Sequence, residues 1–580
     1  MINIKENEKL SVLNHSCAHL LAQAVKHLYP NAKFWVGPVI ENGFYYDMDL
    51  GEDVIKEEDL EKIEKEMKKI SKDGKRIVRR ELTKEEALEM FGNDEYKVDL
   101  IENMDDSKVI TCYTQGDFTD LCRGPHVETV KEIKYFKLLK VNGAYFKGDS
   151  KNKMLTRVYG ICFDNEEDLN NYLNMLEEAK KRDHRKLGKE LEIFMLSEYG
   201  PGFPFFLPNG MIIRNELENF WYKEHEKEGY VFVKTPIMLS QELWEVSGHW
   251  ANYRENMYTS TIDDKLFAIK PMNCPGGMLV YKNSIHSYKD LPIRCGELGL
   301  VHRHEASGAL SGLFRVRTFT QDDAHIFMRD DQIEEEVVRL IHFIERFYKV
   351  FNLDFTIELS TRPEEKYIGA LEIWNKSEEA LANACKKAGR DFKVNPGDGA
   401  FYGPKLDFHI KDSIGREWQC GTIQLDMNLP ERFDLTYIDK DGNKQRPIML
   451  HRVIFGSIER FMGVLIEHYA GAFPLWLSPT QVNIIPVNNE YHLEYSKELL
   501  KLFKDNDIRV KLDDREEKLS YKMRESQTKK IPVTLIIGDN EKNNNLVSYR
   551  IHGSKDTLTC TKEELVNKIK EAIANKSYNI

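Results

Sequence analysis

No apolar run in this chain approaches the roughly 18 residues that a membrane span requires, and its start, MINIKENEKL, has neither the basic end nor the apolar middle of a signal peptide. These absences exclude a helical membrane protein and an exported one, and they place the chain in the cytoplasm. No two of the nine cysteines (17, 112, 122, 162, 274, 295, 385, 420 and 560) are spaced CxxC, and an odd, scattered set in so long a chain argues against a disulfide framework. Positive charge is not in excess: the net charge of −12 argues against a uniformly basic nucleic-acid binder but leaves room for local clusters. There is no internal repeat and no low-complexity tract.

What is present is a large apolar and aromatic content, 41% and 11% of 580 residues. At about 150 residues per domain this predicts three or four domains. Residues 1–182 mix an apolar helix at 14–28, a charged helix around 56–72 and the strand-like pieces FYYDMD and AYFKGD, which predicts one α+β domain. The charges of KEEDLEKIEKEMKKI recur every three or four residues, so this helix reads as an exposed, ion-paired element. Residues 475–580 alternate the β-rich runs VNIIPV, IRVKL and VTLIIG with helical patterns, which predicts an α/β domain. Its closing helix carries a capping box, Thr561 followed by Glu564, and PLWLSP reads as the linker before the domain. The region between, rich in aromatics and Gly/Pro punctuation, reads as a large antiparallel sheet with helices. The fold class is α+β, multidomain. Two basic clusters, at 72–80 and in KKRDHRK at 180–186, read as solvated helix faces.

Near the start, LNHSCAHLLAQAV puts His15 and His19 on one face of a helix, and DLCRGPH repeats the four-residue interval with Cys122 and His126, Asp120 nearby. On spacing alone this quartet reads equally as a zinc site and as packed residues. In LVHRHEASGALSGLFRVRTFTQDDAHIF, two alternating runs flank a Gly/Ser/Ala loop, which predicts a long β-hairpin. If the strands are regular, period two puts Arg303 and Glu305 on one face of the first, and Arg315, Arg317, Phe319, Gln321, Asp323 and His325 on one face of the second. Guanidinium, carboxylate and phenyl groups together suit a nucleotide, with a surface ion-pair ladder as the alternative. Further on, Gly456, Ser457 and Arg460 at a helix start suit close approach to phosphate. Upstream, LENFWYKEHEKEGYVFVKTPIM reads as a long helix, a Gly turn and a strand halted at Pro236.

These three segments, in this order, resemble the signature motifs of class II aminoacyl-tRNA synthetases. KPMNCPGG, FTQDDAHIF, FYGPKLDFHI, WQCGTIQLD and LHRVIFGSIERF narrow the resemblance to the threonyl-tRNA synthetases, and HSCAH with DLCRGPH is similar to that family's editing domain. The match runs from about residue 11 to the end. The resemblance implies an editing domain at 1–182, a class II catalytic domain at 183–474 and an anticodon-binding domain at 475–580. It implies one Zn²⁺ per subunit on Cys274, His325 and His451. ATP, with Mg²⁺, falls to Arg303, Glu305, Arg315, Phe319, Gln419, Thr422 and Arg460, of which Arg303 and Arg460 are catalytic. L-Threonine falls to His249, Gln321, Asp323, Tyr402 and Gln424. In place of the zinc-site reading, His15, His19, Asp120, Cys122 and His126 become a metal-free editing site for mischarged seryl-tRNA(Thr).

The implied partner is tRNA(Thr), and Arg515, Lys522 and Arg524, with Lys529 and Lys530, form a basic set consistent with RNA contact. The resemblance also implies a homodimer, through the helix and strand that end at Pro236. Two positions depart from the family pattern: Gly277 stands where His is usual, and His304 where Asn is usual. The small ubiquitin-like domain that commonly opens the family has no counterpart before the match, so a form without it is expected. A non-catalytic, RNA-binding relative should have lost Arg303, Arg460 or a zinc ligand, and a class II enzyme for another amino acid should lack the Cys/His/His set. All of these residues are present.

Overall fold

The computed structural model describes residues 3–105, 108–149, 151–578 and 580. The chain forms two compact units, Met1–Glu178 and Ala179–Ile580. Both are α+β, as expected, and no described helix is long and apolar enough to cross a membrane. All nine cysteines are free thiols.

In the first unit the helix Glu8–Leu28, capped by the Asn7 side chain, buries Ala18, Ala22 and Ala24 completely. Such small side chains let it lie close against an antiparallel sheet of Lys33–Phe34, Gly43–Asp49, Met154–Phe163 and Tyr135–Tyr145. Asn14 fixes its height: the buried amide donates to the Cys162 carbonyl (2.8 Å) and accepts the Cys162 N–H (2.9 Å). A three-stranded sheet, Ile77–Leu82, Ile110–Gln115 and Phe118–Leu121, leads into the CRGPH loop. Two expectations need correction. The charged helix, Leu60–Asp73, is not an exposed element: Leu60, Ile63, Met67 and Ile70 are buried in the core, and Glu64 accepts the Leu138 N–H (2.9 Å) and pairs with Lys137. AYFKGD is strand only to Tyr145, after which Phe146–Gly148 is a tight turn with Lys147 at φ 55°.

The second unit is built on eight strands in the spatial order Val231–Phe232, Ile293–His302, Thr318–Met328, Ile448–Val453, Glu417–Asp426, Lys405–Lys411, Asp354–Ser360 and Lys393–Asn395. Every pairing is antiparallel except the first and the last. Helices Pro208–Lys227, Ile333–Lys349, Leu371–Lys387 and Ile458–His468 supply apolar side chains to the core packed against this sheet. Toward the C-terminus the expected α/β alternation holds for Val510–Leu512, Val482–Pro486 and Val533–Ile537, which pair in parallel; Leu546–Ile551 and Leu558–Thr561 extend that sheet antiparallel. The capping box forms as read: Thr561 Oγ1 accepts the Glu564 N–H (3.2 Å), and Glu564 accepts the Thr561 N–H (3.1 Å). PLWLSP is not an exposed linker, because Leu475, Trp476 and Leu477 are buried, Trp476 against Phe220 and Phe351. A tripeptide this apolar gains more from burial than from hydration. Nor is KKRDHRK a fully solvated face, since His184 within it is buried.

Candidate functional site

The sheet brings together residues far apart in sequence. Antiparallel pairing sets His325 directly opposite His451, and Gln424 opposite His451 from the other side. Cys274 joins them from the first turn of the helix Cys274–Lys282. Their three donor atoms lie within 4.8 Å of one another, and all three residues are buried. Asp426, the last residue of WQCGTIQLD, stands 2.9 Å from His451 Nε2, which leaves Nδ1 as the ring's other donor. His325 Nε2 has no hydrogen-bond partner, with the Asp323 carboxylate 3.7 Å away.

Burial lowers the His325 pKa to about 4 and pushes the Cys274 thiol well above its ordinary value. His325 is therefore a neutral imidazole and Cys274 a protonated thiol, waiting on a cation to offset a thiolate. One sulfur and two nitrogens, with a buried orphan nitrogen among them, fit Zn²⁺. Gly277 gives the ring its room, for a Cβ there would come within 3.1 Å of His325 Nδ1.

Cys274, Arg303, Gln321, Asp323, Tyr402, Thr422, Gln424 and His451 line one cavity of about 340 Å³. Tyr402 donates to Gln424 (2.5 Å), Asn273 donates to Asp323 (3.1 Å), and Gln321 Oε1 is buried without a partner. His249 is fully buried, with Nδ1 2.8 Å from Ser247 Oγ and Nε2 3.9 Å from Cys274 Sγ; burial, then the nearby His451 and Arg303, lower its pKa to about 3.

The hairpin exists, but its strands are shorter than period two suggested. Pairing ends at His302 and resumes at Thr318, so Arg303, Glu305, Arg315 and Arg317 lie in the connecting loop rather than on strand faces. Side chains order that loop instead. Arg317 clamps the Glu305 carbonyl with Nε (2.9 Å) and Nη2 (2.8 Å), and Arg315 pairs with Glu305 (2.9 Å). The Arg303 guanidinium lies 5.1 Å from the Phe319 ring centre and donates to the Pro271 carbonyl. His304 is held through its backbone N–H on the Asn256 carbonyl (2.8 Å). Ser457 caps the helix that carries Arg460, which reaches back to the Phe314 carbonyl (3.2 Å).

Gln419 and Thr422, three positions apart, should face opposite sides of a regular strand. A bulge resolves this: His409 pairs with Gln419 and Phe408 with Gly421, so Cys420 is extra. Both side chains then reach Asp407 (2.7 and 3.1 Å).

In the first unit, Cys122 Sγ stands 3.2 Å from both His15 Nε2 and His126 Nε2, and the donor atoms of His15, His19, Cys122 and His126 lie within 4.8 Å of one another. Ser16 Oγ holds His126 Nδ1 (3.0 Å). Burial lowers the pKa of His15, and those of His19 and His126 well below the ordinary value, and raises the Cys122 thiol to about 12, so all four are neutral near pH 7. Asp120 faces them, with His19 Nε2 at 3.6 Å, and it is bound by the buried Lys97 ammonium (2.5 Å) and by the Tyr46 hydroxyl. His15, His19, Asp120 and Cys122, with Tyr46 and Lys97, line a cavity of about 430 Å³. The sequence reading missed Lys97, Tyr46, Asp407 and Asp426. The last two stand inside motifs that were noticed, whereas Lys97 in DEYKVDL has no signal, since its burial depends on tertiary packing.

The chain matches three families: the tRNA synthetase class II core domain (G, H, P, S and T) at 258–469, the anticodon binding domain at 481–572, and the threonyl and alanyl tRNA synthetase second additional domain at 110–159. Threonine–tRNA ligase of Fusobacterium nucleatum subsp. nucleatum is 60% identical over 563 residues, 96% of this chain and 90% of that protein. The chain belongs to the threonyl-tRNA synthetase family. The threonine–tRNA ligase of Acetivibrio thermocellus is 57% identical over 97% of this chain and 88% of its own length. Among solved structures, the RNA binding domain of threonyl-tRNA synthetase from Cryptosporidium parvum Iowa II superposes with a TM-score of 0.65 at 41% identity, covering 67% of this chain and 98% of that one. As a class II threonyl-tRNA synthetase, the enzyme is a threonine–tRNA ligase with an anticodon-binding domain and an editing-related domain.

One expected tRNA contact of this synthetase needs correction. Lys522 is 3% exposed, with its ammonium on the Asp513 carbonyl (3.1 Å), because the helix Leu519–Thr528 turns Lys522 and Ser526 inward together. Arg515 is tied to Asp513 and Glu525, and Arg524 is exposed.

Proposed function

We propose that the chain makes threonyl-tRNA(Thr) through a threonyl-adenylate and clears seryl-tRNA(Thr) at a separate site. The division is an editing domain at 1–182, a catalytic domain at 183–474 and an anticodon-binding domain at 475–580. The observation that carries the reading is the convergence of Cys274, His325 and His451, of which Cys274 and His451 line the cavity that also holds Arg303, Gln321, Asp323, Tyr402 and Gln424.

Arg303 and Arg460 bind the phosphates, with Mg²⁺ sharing the charge. Glu305 accepts the adenine amine, Phe319 stacks on the ring, and Arg315, Gln419 and Thr422 complete the nucleotide site. His249, Gln321, Asp323, Tyr402 and Gln424 surround threonine. A threonine carboxylate oxygen attacks the α-phosphorus in line, the bond to the leaving phosphate breaks, and pyrophosphate departs; the arginines stabilise the charge that develops. The tRNA terminal hydroxyl then displaces AMP. Cys274, His325 and His451 would hold a Zn²⁺, which would supply Lewis-acid recognition of the amino and hydroxyl groups of threonine.

A site built around a hydroxyl rejects valine by on the order of 10⁴, but it admits serine, which carries the same groups. The second site removes that error. His15, His19, Asp120, Cys122 and His126, with Lys97 and Tyr46, position water and the tRNA end without a resident metal. Supporting this, a cation is already built in as the Lys97 ammonium on Asp120. Tyr222 on the helix before Gly229, Val231 on the edge strand after it, and Ile237 and Met238 beyond Pro236 are exposed and suit a homodimer face. Free thiols throughout suit the cytoplasm.

Metal counting separates the two cysteine–histidine sets. Close to one zinc per chain is expected; a second zinc that vanishes in His19→Ala would refute the metal-free reading.

A further inference from the structure

The basic run at 180–186 has no part in the chemistry above, yet His184 within it is among the buried residues. It opens the short helix His184–Glu190. Its Nδ1 lies 2.7 Å from Glu467 Oε1, near the end of the helix whose first turn carries Arg460, and the same oxygen accepts the His184 backbone N–H (3.0 Å). Its Nε2 accepts the N–H of Leu313 (2.9 Å), in the loop that joins the hairpin strands. A backbone N–H can only donate, so Nε2 carries no proton and Nδ1–H faces Glu467.

The contacts around this bond are close. A Cβ on Gly312 would come within 2.1 Å of His184 Nε2. The Phe314 ring sits 4.0 Å from the imidazole and 4.3 Å from Trp418, centre to centre, and the Phe314 carbonyl accepts from Arg460 (3.2 Å). Arg416 braces the other oxygen of Glu467 (2.6 Å) and is itself held by Asp412 (2.7 Å).

Asp183, His184 and Glu467 present three donor atoms within 4.8 Å, the spacing of a metal site. Both nitrogens of His184 are already engaged by protein, however, so no lone pair remains for an ion.

We propose that His184 is a positioning residue for ATP: anchored on Glu467, it holds the loop at 312–315 and so sets Arg315 against Glu305 beside the helix that carries Arg460. The proposal rests on reading these three as nucleotide-binding residues. A loop held before ATP arrives spares the nucleotide the entropic cost of ordering it.

The test is steady-state ATP–pyrophosphate exchange on the full-length, zinc-loaded enzyme. His184→Phe keeps a ring against Phe314 but leaves the Leu313 N–H unpaired; the KM for ATP is expected to rise roughly tenfold, the loss of about one buried hydrogen bond, with the KM for threonine within about twofold. His184→Gln, whose amide oxygen can accept from Leu313, should return the ATP KM to within about threefold of the unaltered enzyme. Glu467→Gln should shift the ATP KM in the same direction, and the double variant His184→Phe/Glu467→Gln should be no worse than His184→Phe, since Glu467 acts through the ring. An unchanged ATP KM, equal rises in both KM values, or no rescue by His184→Gln overturns the proposal. If His184→Phe does not fold, Glu467→Gln decides by the same two KM values. Absence of threonine-dependent exchange in the unaltered enzyme would instead sink the reading of the nucleotide site.

Discussion

His325→Ala is expected to purify folded and without zinc, and to lower threonine-dependent ATP–pyrophosphate exchange by at least on the order of 10³-fold, the scale of losing a preorganised group that contacts the substrate. The reason lies in the register. His325 and His451 face each other across two paired strands, so removing one imidazole leaves Cys274 and His451, too few ligands for a three-ligand site with open positions. Burial already holds the Cys274 thiol protonated, and without a cation nothing offsets a thiolate there. A graded companion is Asp426→Asn, which removes the carboxylate on His451 Nε2 but no ligand; its loss should be about 10- to 100-fold in metal affinity or exchange. Metal content and exchange rate, measured on the same preparations, check both. Full exchange in zinc-free His325→Ala would contradict the assignment.

His19→Gln is expected to leave threonine-dependent exchange within about twofold and to slow hydrolysis of preformed seryl-tRNA(Thr) by on the order of 10² to 10⁴, the range for removing a group that positions or moves a proton. His19 sits between Asp120 and the other two imidazoles, its Nδ1 buried without a partner and its pKa held well below the ordinary value by burial, His15 and Lys97. It is thus neutral at working pH, and its free ring nitrogen can position a water by accepting a hydrogen bond from it. The residues proposed to bind ATP and threonine lie in the other compact unit, which is why exchange should not move. Deacylation of radiolabelled seryl-tRNA is the measurement, and seryl-tRNA(Thr) should accumulate when the variant charges tRNA with serine. Hydrolysis at the unaltered rate would remove His19 from the site.

Local periodicity located the hairpin, the helix at Ile458–His468 and the capping box at Thr561, because each depends on neighbours in sequence. It failed where side chains replace the ladder: Arg317 clamping the Glu305 carbonyl ends the strands before the arginines, and the bulge at Cys420 turns Gln419 and Thr422 to one face against a strict alternation. Leu60, Ile63, Met67 and Ile70 already stood at helical spacing, but the denser charge pattern hid the buried face. Cys274, His325 and His451 could be grouped only through resemblance, since it takes two strands and a helix terminus to bring them together. The burial of Lys97 and Lys522 follows from packing that no local pattern records.

The most direct test is ATP–pyrophosphate exchange by the unaltered protein with threonine, serine and valine in turn. Threonine should support rapid exchange, serine measurable exchange, and valine less than threonine by on the order of 10⁴. No threonine-dependent exchange, or valine serving as well as threonine, would contradict it.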